Sequence, residues 1–311
     1  MVERINWYPG HMKKTRELIQ KNLKMVDAVI EVVDARIPIS SRNPIIDELI
    51  ISKPRVIVLN KSDLADETAN SKWAETLRQS PQTRVVVMNS VTGAGVKELF
   101  RDLEQMQADR DREKDEHRAE QGLEGESLRK AFRLMIAGVP NVGKSSLINR
   151  MTGSKSAKTG DKPGVTKGKQ WLKVQNGMQL LDTPGILWPK FEDPRAGINL
   201  AFCGSIKDEI LDVPTLGMEL IGVLTRHYPD MLMKRYKIDE LYSEGDVSPE
   251  TGYPIESERD KALANMHLLA KKRGCIMGGG RIDYERMGRQ ILDEFRGGKI
   301  GRITLEFPEK Q

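Results

Sequence analysis

Apolar and polar positions change their rhythm along this chain. From Asp27 to Val33 the apolar residues run together and are rich in β-branched types, the pattern of a strand buried on both faces. Similar runs recur at Arg55–Leu59, Arg84–Met88 and Phe132–Ala137. Between them the spacing turns helical. Lys13–Lys24 carries apolar Leu18, Ile19 and Leu23, and further helices are predicted at Asn43–Ile50, Glu67–Gln79, Val96–Met106 and Lys144–Met151. This alternation predicts an α/β layer fold with a mostly parallel sheet. A shorter pair of runs, Lys169–Val174 and Met178–Leu181, is split by Gln175-Asn176-Gly177, and the Asn-Gly step predicts a hairpin with one antiparallel edge strand.

Two changes of character mark the organisation. Between Gln107 and Lys130 the chain becomes densely charged, as expected of an exposed helix extension and connector. After Pro194 the β-branched runs disappear and helical spacing takes over, at Leu200–Leu211, Leu216–Thr225, Met231–Tyr236, Glu258–Lys272 and Tyr284–Arg296. Two domains are therefore expected, residues 1–194 and residues 195–311, with Gly301–Phe307 as a short extended tail.

Composition narrows the classes. With 311 residues, 38% hydrophobic and 31% charged, the chain reads as a soluble globular protein large enough for a core and a second unit. No stretch approaches the roughly twenty continuous apolar residues of a membrane helix, and Met1–Gly10 lacks the apolar core of a secretory signal. A cytoplasmic location without a membrane partner follows as an expectation. Cys203 and Cys275 stand apart from other metal-ligand residues, which argues against a disulfide or zinc site. The net charge of +5 and a pI of about 9.0 are compatible with a polyanionic partner. From Ala131 to Lys173 nine Lys/Arg face a lone Asp161. Lys155, Lys158, Lys162, Lys167 and Lys169 in that stretch would meet RNA phosphates or form an ordinary solvated basic face. Lys271, Lys272, Arg273, Arg281, Arg286 and Arg289 form a second basic group.

The residue types and spacings that carry chemistry fall in two places. Gly138-Val139-Pro140-Asn141-Val142-Gly143-Lys144-Ser145 satisfies G-x-x-x-x-G-K-[ST] between a predicted strand and a helix opening at Ser146. Glycines let backbone N–H groups turn toward a phosphate, and a helix N-terminus adds aligned donors. Lys144 is expected to reach the β- and γ-phosphates and the Ser145 hydroxyl to bind Mg²⁺. Downstream, Asp182-Thr183-Pro184-Gly185 ends a predicted strand, so Asp182 suits the Mg²⁺ shell and the Gly185 amide the γ-phosphate. Thr166 is the candidate switch threonine closing over Mg²⁺, with Thr159 a nearby alternative.

Upstream, Asn60-Lys61-Ser62-Asp63 ends another predicted strand. The two oxygens of Asp63 suit the N1–H and exocyclic amine of guanine, a donor pair that adenine lacks. Lys61 would lay its stem along the base, and Asn60 would tie this loop to the phosphate side. After the next strand, Asn89-Ser90 offers a backbone amide for the guanine O6, with Gly93 and Gly95 shaping the loop. GTP and GDP are thus the expected ligands. The base motifs precede the phosphate motifs, the reverse of ordinary small GTPases. The order predicts a circularly permuted P-loop GTPase domain, with the charged connector joining the former ends and a C-terminal helical domain following the switch.

These residues resemble a known family, the permuted bacterial ribosome biogenesis GTPase A proteins. The resemblance spans nearly the whole chain. It rests on Trp7-Tyr8-Pro9-Gly10-His11-Met12, Asp34-Ala35-Arg36, Asn60-Lys61-Ser62-Asp63, the P-loop, Pro163-Gly164-Val165-Thr166, Asp182-Thr183-Pro184-Gly185, Gly278-Gly279-Gly280 and Phe295-Arg296-Gly297-Gly298-Lys299-Ile300-Gly301-Arg302. Tyr8 stands where family members often carry Phe. The resemblance implies a cytoplasmic, monomeric factor that binds a late precursor of the large ribosomal subunit, near ribosomal RNA and ribosomal proteins, and hydrolyses GTP during maturation. It implies a C-terminal domain that grips RNA, a functional histidine at His11, and K⁺ held beside the phosphates by Asn141. Ile186 stands where many GTPases place a glutamine, and an apolar side chain cannot orient water. Slow intrinsic hydrolysis is expected, with His11 the internal candidate for water activation. Two other classes share the nucleotide site: a signalling or transport GTPase, and a nucleotide-responsive RNA-binding protein without turnover.

Overall fold

The structure, a computed structural model, describes residues 12–42, 44–50, 53–78, 82–123, 129–153, 170–182 and 193–308. It divides into two compact units, one holding the described residues of 12–182 and 306–308, the other those of 193–305. No described helix is long and apolar enough to cross a membrane.

The first unit is built on a six-stranded sheet of order β3-β2-β1-β4-β6-β5. Strands β1 (Ala28–Asp34), β2 (Arg55–Asn60), β3 (Thr83–Val87), β4 (Arg133–Ala137) and β6 (Gln179–Asp182) run parallel, and β5 (Gln170–Lys173) is antiparallel to β6. The expected hairpin is present, with Asn176 and Gly177 both at positive φ in its turn. Helix α1 (Met12–Leu23) precedes β1, and α2 (Pro44–Ile50), α3 (Glu67–Leu77), α4 (Val96–Glu120) and α5 (Lys144–Thr152) follow β1 to β4 in turn. Trp73, Ala74 and Leu77 of α3 cover Val33, Ile57 and Leu59, while Ile19 and Leu23 of α1 pack with Val29, Met135 and Leu181. The alternate residues Ile30, Val32, Val56, Val58, Leu134 and Ile136 are buried too. Both faces are therefore covered, which is why these strands read as continuous apolar runs.

Glu31 is the charged exception within β1. Burial and the nearby Asp47 push its carboxyl above the usual range, against the pull of Arg42 and Arg55, which lie 3.3 and 3.4 Å from its oxygens. The helix extension expected in the charged connector is present, since α4 continues through it to Glu120. Arg110 holds this extension to the sheet, bonding Asp27 at 3.0 Å and lying 5.1 Å from the Phe132 ring centre.

The second unit contains α6 (Pro194–Phe202), α7 (Val213–His227), α8 (Pro229–Tyr236), α9 (Glu258–Arg273) and α10 (Tyr284–Arg296). The single helix expected over Leu200–Leu211 is broken after Phe202. Gly204 takes a left-handed φ of 72°, and Arg296 donates to the carbonyls of Ala201 and Phe202 and to both oxygens of Asp208. These bonds satisfy helix-end carbonyls that would otherwise invite another turn. The tail is not a strand. Thr304 is instead bracketed by the Tyr228 hydroxyl, which donates to its carbonyl at 2.7 Å and accepts from its amide at 3.0 Å. Arg273, expected to face phosphates, is half-buried over Tyr236 and bonded to Glu294 at 3.2 Å.

Helices α7 and α10 meet at two glycines. A Cβ on Gly217 would lie 2.5 Å from Gly288 Cα, and one on Gly288 would lie 2.6 Å from the Val213 carbonyl oxygen. Gly217→Ala is expected to destabilise this unit by about 1–3 kcal/mol through overpacking. Gly222→Ala, whose new methyl would meet only the Ala262 Cβ at 3.3 Å, gains about 1 kcal/mol of helix propensity and is expected to be neutral or stabilising. Urea unfolding followed by circular dichroism checks both, and equal midpoints for the two variants would refute the close crossing.

Candidate functional site

The parallel strands bring their carboxyl ends to one edge, and the chain reverses its direction of travel across the sheet between β1 and β4. Such a switch point opens a crevice beyond the strand ends. At this edge Asp34 ends β1, Asn60 ends β2, Asn89 follows β3, Gly138 follows β4 and Asp182 ends β6. The Asn60, Asn89, Gly138 and Asp182 segments, which lie in permuted order along the chain, are thereby gathered at one edge.

The phosphate loop is shaped by close approach. A Cβ on Gly138 would lie 2.4 Å from the Val32 carbonyl oxygen, so only glycine passes β1 there. Val139 and Val142 are buried and anchor the loop, Pro140, Ser145 and Ser146 are half-buried, and Asn141 is exposed with φ 61°. Gly143, at φ 99°, opens α5, and the next residue, Lys144, donates to the Val139 carbonyl at 2.7 Å. A phosphate seated in this loop would compete for that ammonium.

Asn60 joins the loops. Its Nδ2 donates to the Val142 carbonyl at 2.6 Å, and its Oδ1 accepts from the Ser90 amide at 3.0 Å. The Asn60–Asp63 loop and the P-loop are therefore tied by a direct bond. Lys61 has φ 59°, and its Nζ lies 2.9 Å from Asp34 Oδ2. Asp34 is fully buried, which by itself would raise its pKa. The Arg36 guanidinium, bonded at 2.9 and 2.8 Å, and the Lys61 ammonium outweigh burial and hold the carboxyl well below the usual carboxylate range. Asn70 of α3 donates to the Ser62 carbonyl at 3.0 Å, while Asp63 is exposed at the loop tip.

The loop after β3 corrects one expectation. The Ser90 amide, expected to meet guanine O6, is committed to Asn60, and the Val91 and Thr92 amides donate to Asn89 Oδ1 at 2.9 and 3.0 Å. Asn89 thus builds an Asx-type turn instead of presenting the amide of its neighbour. Arg150 of α5, a residue the motifs did not flag, reaches across to the Ser90 and Val91 carbonyls. His11, Thr166, Gly185 and Ile186 lie outside the described residues, as do Lys155, Lys158, Lys162, Lys167 and Lys169; Asp182 is placed only as the end of β6. Among the described residues no group of three His, Cys, Asp or Glu could hold a metal ion. The Ser145 hydroxyl in the first turn of α5 is a hard oxygen donor of the type Mg²⁺ takes.

Comparison with known proteins follows the same lines. Residues 133–230 match a family described as "50S ribosome-binding GTPase". Ribosome biogenesis GTPase A of Bacillus cereus is 42% identical over 306 residues, covering 98% of this chain and 95% of that protein. That of Priestia megaterium is also 42% identical, covering 98% of each. The chain belongs to the ribosome biogenesis GTPase A family.

Mitochondrial ribosome-associated GTPase 1 of Mus musculus is a more distant relative, 33% identical over 96% of this chain and 89% of its own. Among solved structures, GNP-bound YlqF from T. maritima is 26% identical with a TM-score of 0.57, covering 96% of this chain and all of that one. GDP-bound TM YlqF gives 25% and 0.58, with 94% and 100% covered. The fold is accordingly a circularly permuted P-loop GTPase domain with a helical unit, and the enzyme is a GTPase. In this ribosome biogenesis GTPase A chain the Asn60–Asp63 motif leans, through the half-buried Lys61, on the buried pair Asp34 and Arg36, which motif reading did not reach. The one sequence signal for it is the Asp34-Ala35-Arg36 triplet just after a buried strand.

Asp34→Asn leaves the Arg36 guanidinium buried without its charge partner and is expected to destabilise the protein by about 3–5 kcal/mol. A carboxyl held at a depressed pKa stabilises the fold above its unfolded pKa, about 3.9, and loses that contribution as pH falls through the folded value. The stability gap between wild type and variant should stay constant from neutral pH to about 4 and narrow only below it. A gap that closes near pH 6 in denaturant titrations would disprove the assignment.

Proposed function

We propose that this chain cleaves GTP to GDP and phosphate at the switch-point edge and that its nucleotide state governs binding to, and release from, a late precursor of the large ribosomal subunit in the cytoplasm. The observation that carries the reading is the pair of hydrogen bonds at Asn60, which fasten a guanine-type loop to the phosphate-binding loop and to the loop after β3. Relatives named for ribosome biogenesis and ribosome association support the ribosomal side.

In this reading Asp63 accepts from guanine N1–H and the exocyclic amine, and Lys61, steadied by Asp34, lies along the base. The Gly138–Gly143 amides and Lys144 hold the β- and γ-phosphates, and Ser145, Asp182 and Thr166 provide oxygens for Mg²⁺. Mg²⁺ would neutralise charge on the phosphate oxygens as the bond to the leaving oxygen breaks. Gly185 reports the presence of the γ-phosphate. Asn141 would hold K⁺, whose charge would take the place of an arginine finger. His11 orients water, or takes its proton, as the water oxygen bonds to the γ-phosphorus and GDP departs. Lys271, Lys272, Arg281, Arg286 and Arg289 are exposed on the helical unit and supply phosphate contacts to ribosomal RNA. Arg289 also pairs with Glu285 at 2.6 Å and would have to exchange that partner.

Replacing Asp63 by Asn is expected to lower affinity for GDP and to admit xanthosine diphosphate, since the amide presents a donor where guanine needs an acceptor. Affinities measured at matched Mg²⁺ decide it: unchanged guanine selectivity would reject the base site. Single-turnover GTP cleavage with purified large subunits tests the chemistry. Exchange of K⁺ for Na⁺ at constant ionic strength should slow cleavage, and equal rates remove K⁺ from the site. His11→Ala should abolish subunit-stimulated cleavage while leaving nucleotide and subunit affinities intact. Normal cleavage with weakened subunit binding would make His11 a docking residue instead.

A further inference from the structure

The helical unit ends at Leu305, and the chain rejoins the nucleotide-binding unit at Glu306. Glu306 makes an unusual set of contacts for a tail residue. Its carboxylate accepts from the amides of Ile39 at 2.6 Å and Ser40 at 3.1 Å, and from the Ser40 hydroxyl. Its backbone carbonyl accepts from Trp73 Nε1 at 2.8 Å. Hydrogen bonds to an ionised carboxylate are about twice as strong as neutral ones. Phe307 beside it remains 52% exposed, so the apolar neighbour does not bury the attachment.

The two elements gripped by Glu306 both lead to the Asn60–Asp63 loop. On one side, the turn holding Ile39 and Ser40 also contains Ser41, whose Oγ accepts from the Asp34 amide at 2.9 Å and donates to the Ile37 carbonyl at 2.7 Å. Asp34 in turn holds Lys61. On the other side, Trp73 lies in α3 with Asn70, which holds the Ser62 carbonyl. Lys61 and Ser62 are thus steadied from two directions by elements that a single tail residue clamps together.

We propose that Glu306 is a positioning residue for the guanine loop, setting Lys61 and Asp63 and making guanine recognition depend on the point where the helical unit is attached. The proposal rests on the reading of Asn60–Asp63 as the base site. The experiment measures affinities of the full-length protein for GDP and for inosine diphosphate, which lacks the exocyclic amine. Wild type, Glu306→Gln, Glu306→Ala and Asp63→Asn are compared, each with its thermal midpoint. Glu306→Ala is expected to weaken GDP about fivefold, the low end of coupling between two sites, and inosine diphosphate less, so that the ratio shrinks. Glu306→Gln keeps an acceptor oxygen and should fall between Ala and wild type. A wild-type ratio in both Glu306 variants, or equal losses for both nucleotides together with a lowered midpoint, overturns the proposal. If wild type does not prefer GDP, or Asp63→Asn leaves the ratio unchanged, the base site itself fails and the proposal with it. A preference that responds to Asp63 and ignores Glu306 removes the proposal alone.

Discussion

Asn60 makes two hydrogen bonds that hold the loops of the sheet's carboxyl edge together, one from its Nδ2 to Val142 and one to its Oδ1 from Ser90. A carboxamide is suited to this post because it offers a donor and an acceptor on one planar group. Aspartate would place an acceptor against the Val142 carbonyl, and an apolar residue would leave both loops without a partner. The post also restricts its neighbours. A Cβ on Gly143 would stand 2.2 Å from Asn60 Nδ2, so the glycine at the mouth of α5 serves this contact as well as its own left-handed backbone.

Circular permutation becomes harmless in this light. What the site needs is that five strand ends share an edge and that the loops beyond them are tied, and neither depends on where the chain begins. Hydrogen bonds between loops replace chain continuity. Arg150 adds to them from the far end of the P-loop helix, and the Lys61 to Asp34 pair adds a third link along the β1 side. The buried charges do not need to stabilise the fold greatly to matter; each is costly to leave unpaired, and so each fixes its partner in place.

The permutation also sets where the helical unit joins the chain. It follows β6 in the chain, after the switch motif, and gives way to Glu306 at its other end. One chain connection therefore follows β6 and the other precedes Glu306. A unit inserted in this manner is joined to the nucleotide-binding unit at both of these points, whereas a domain appended at one terminus is joined at one.

Several features were legible in the residues themselves. The strands, the hairpin at Asn176-Gly177, the P-loop and the Asn60–Asp63 motif are written in local periodicity and spacing, because β-branched runs, glycine at positive φ and strand-to-helix junctions act over a few residues. The family, too, was carried by such short motifs. The break of α6 was not legible, since it is imposed by Arg296, 94 residues from the carbonyl of Phe202 that it binds. The helix extension through the charged segment was legible in its composition, but the hold of Arg110 on Asp27 and Phe132 was not. The placement of the Ser90 amide, the clasp of Arg150, the burial of Arg36 against Asp34 and the return of Glu306 to Ser40 belong to the same class. Each is a polar contact between segments remote or turned toward one another in space, and the strength of such a contact comes from the desolvated surroundings that only the folded chain creates.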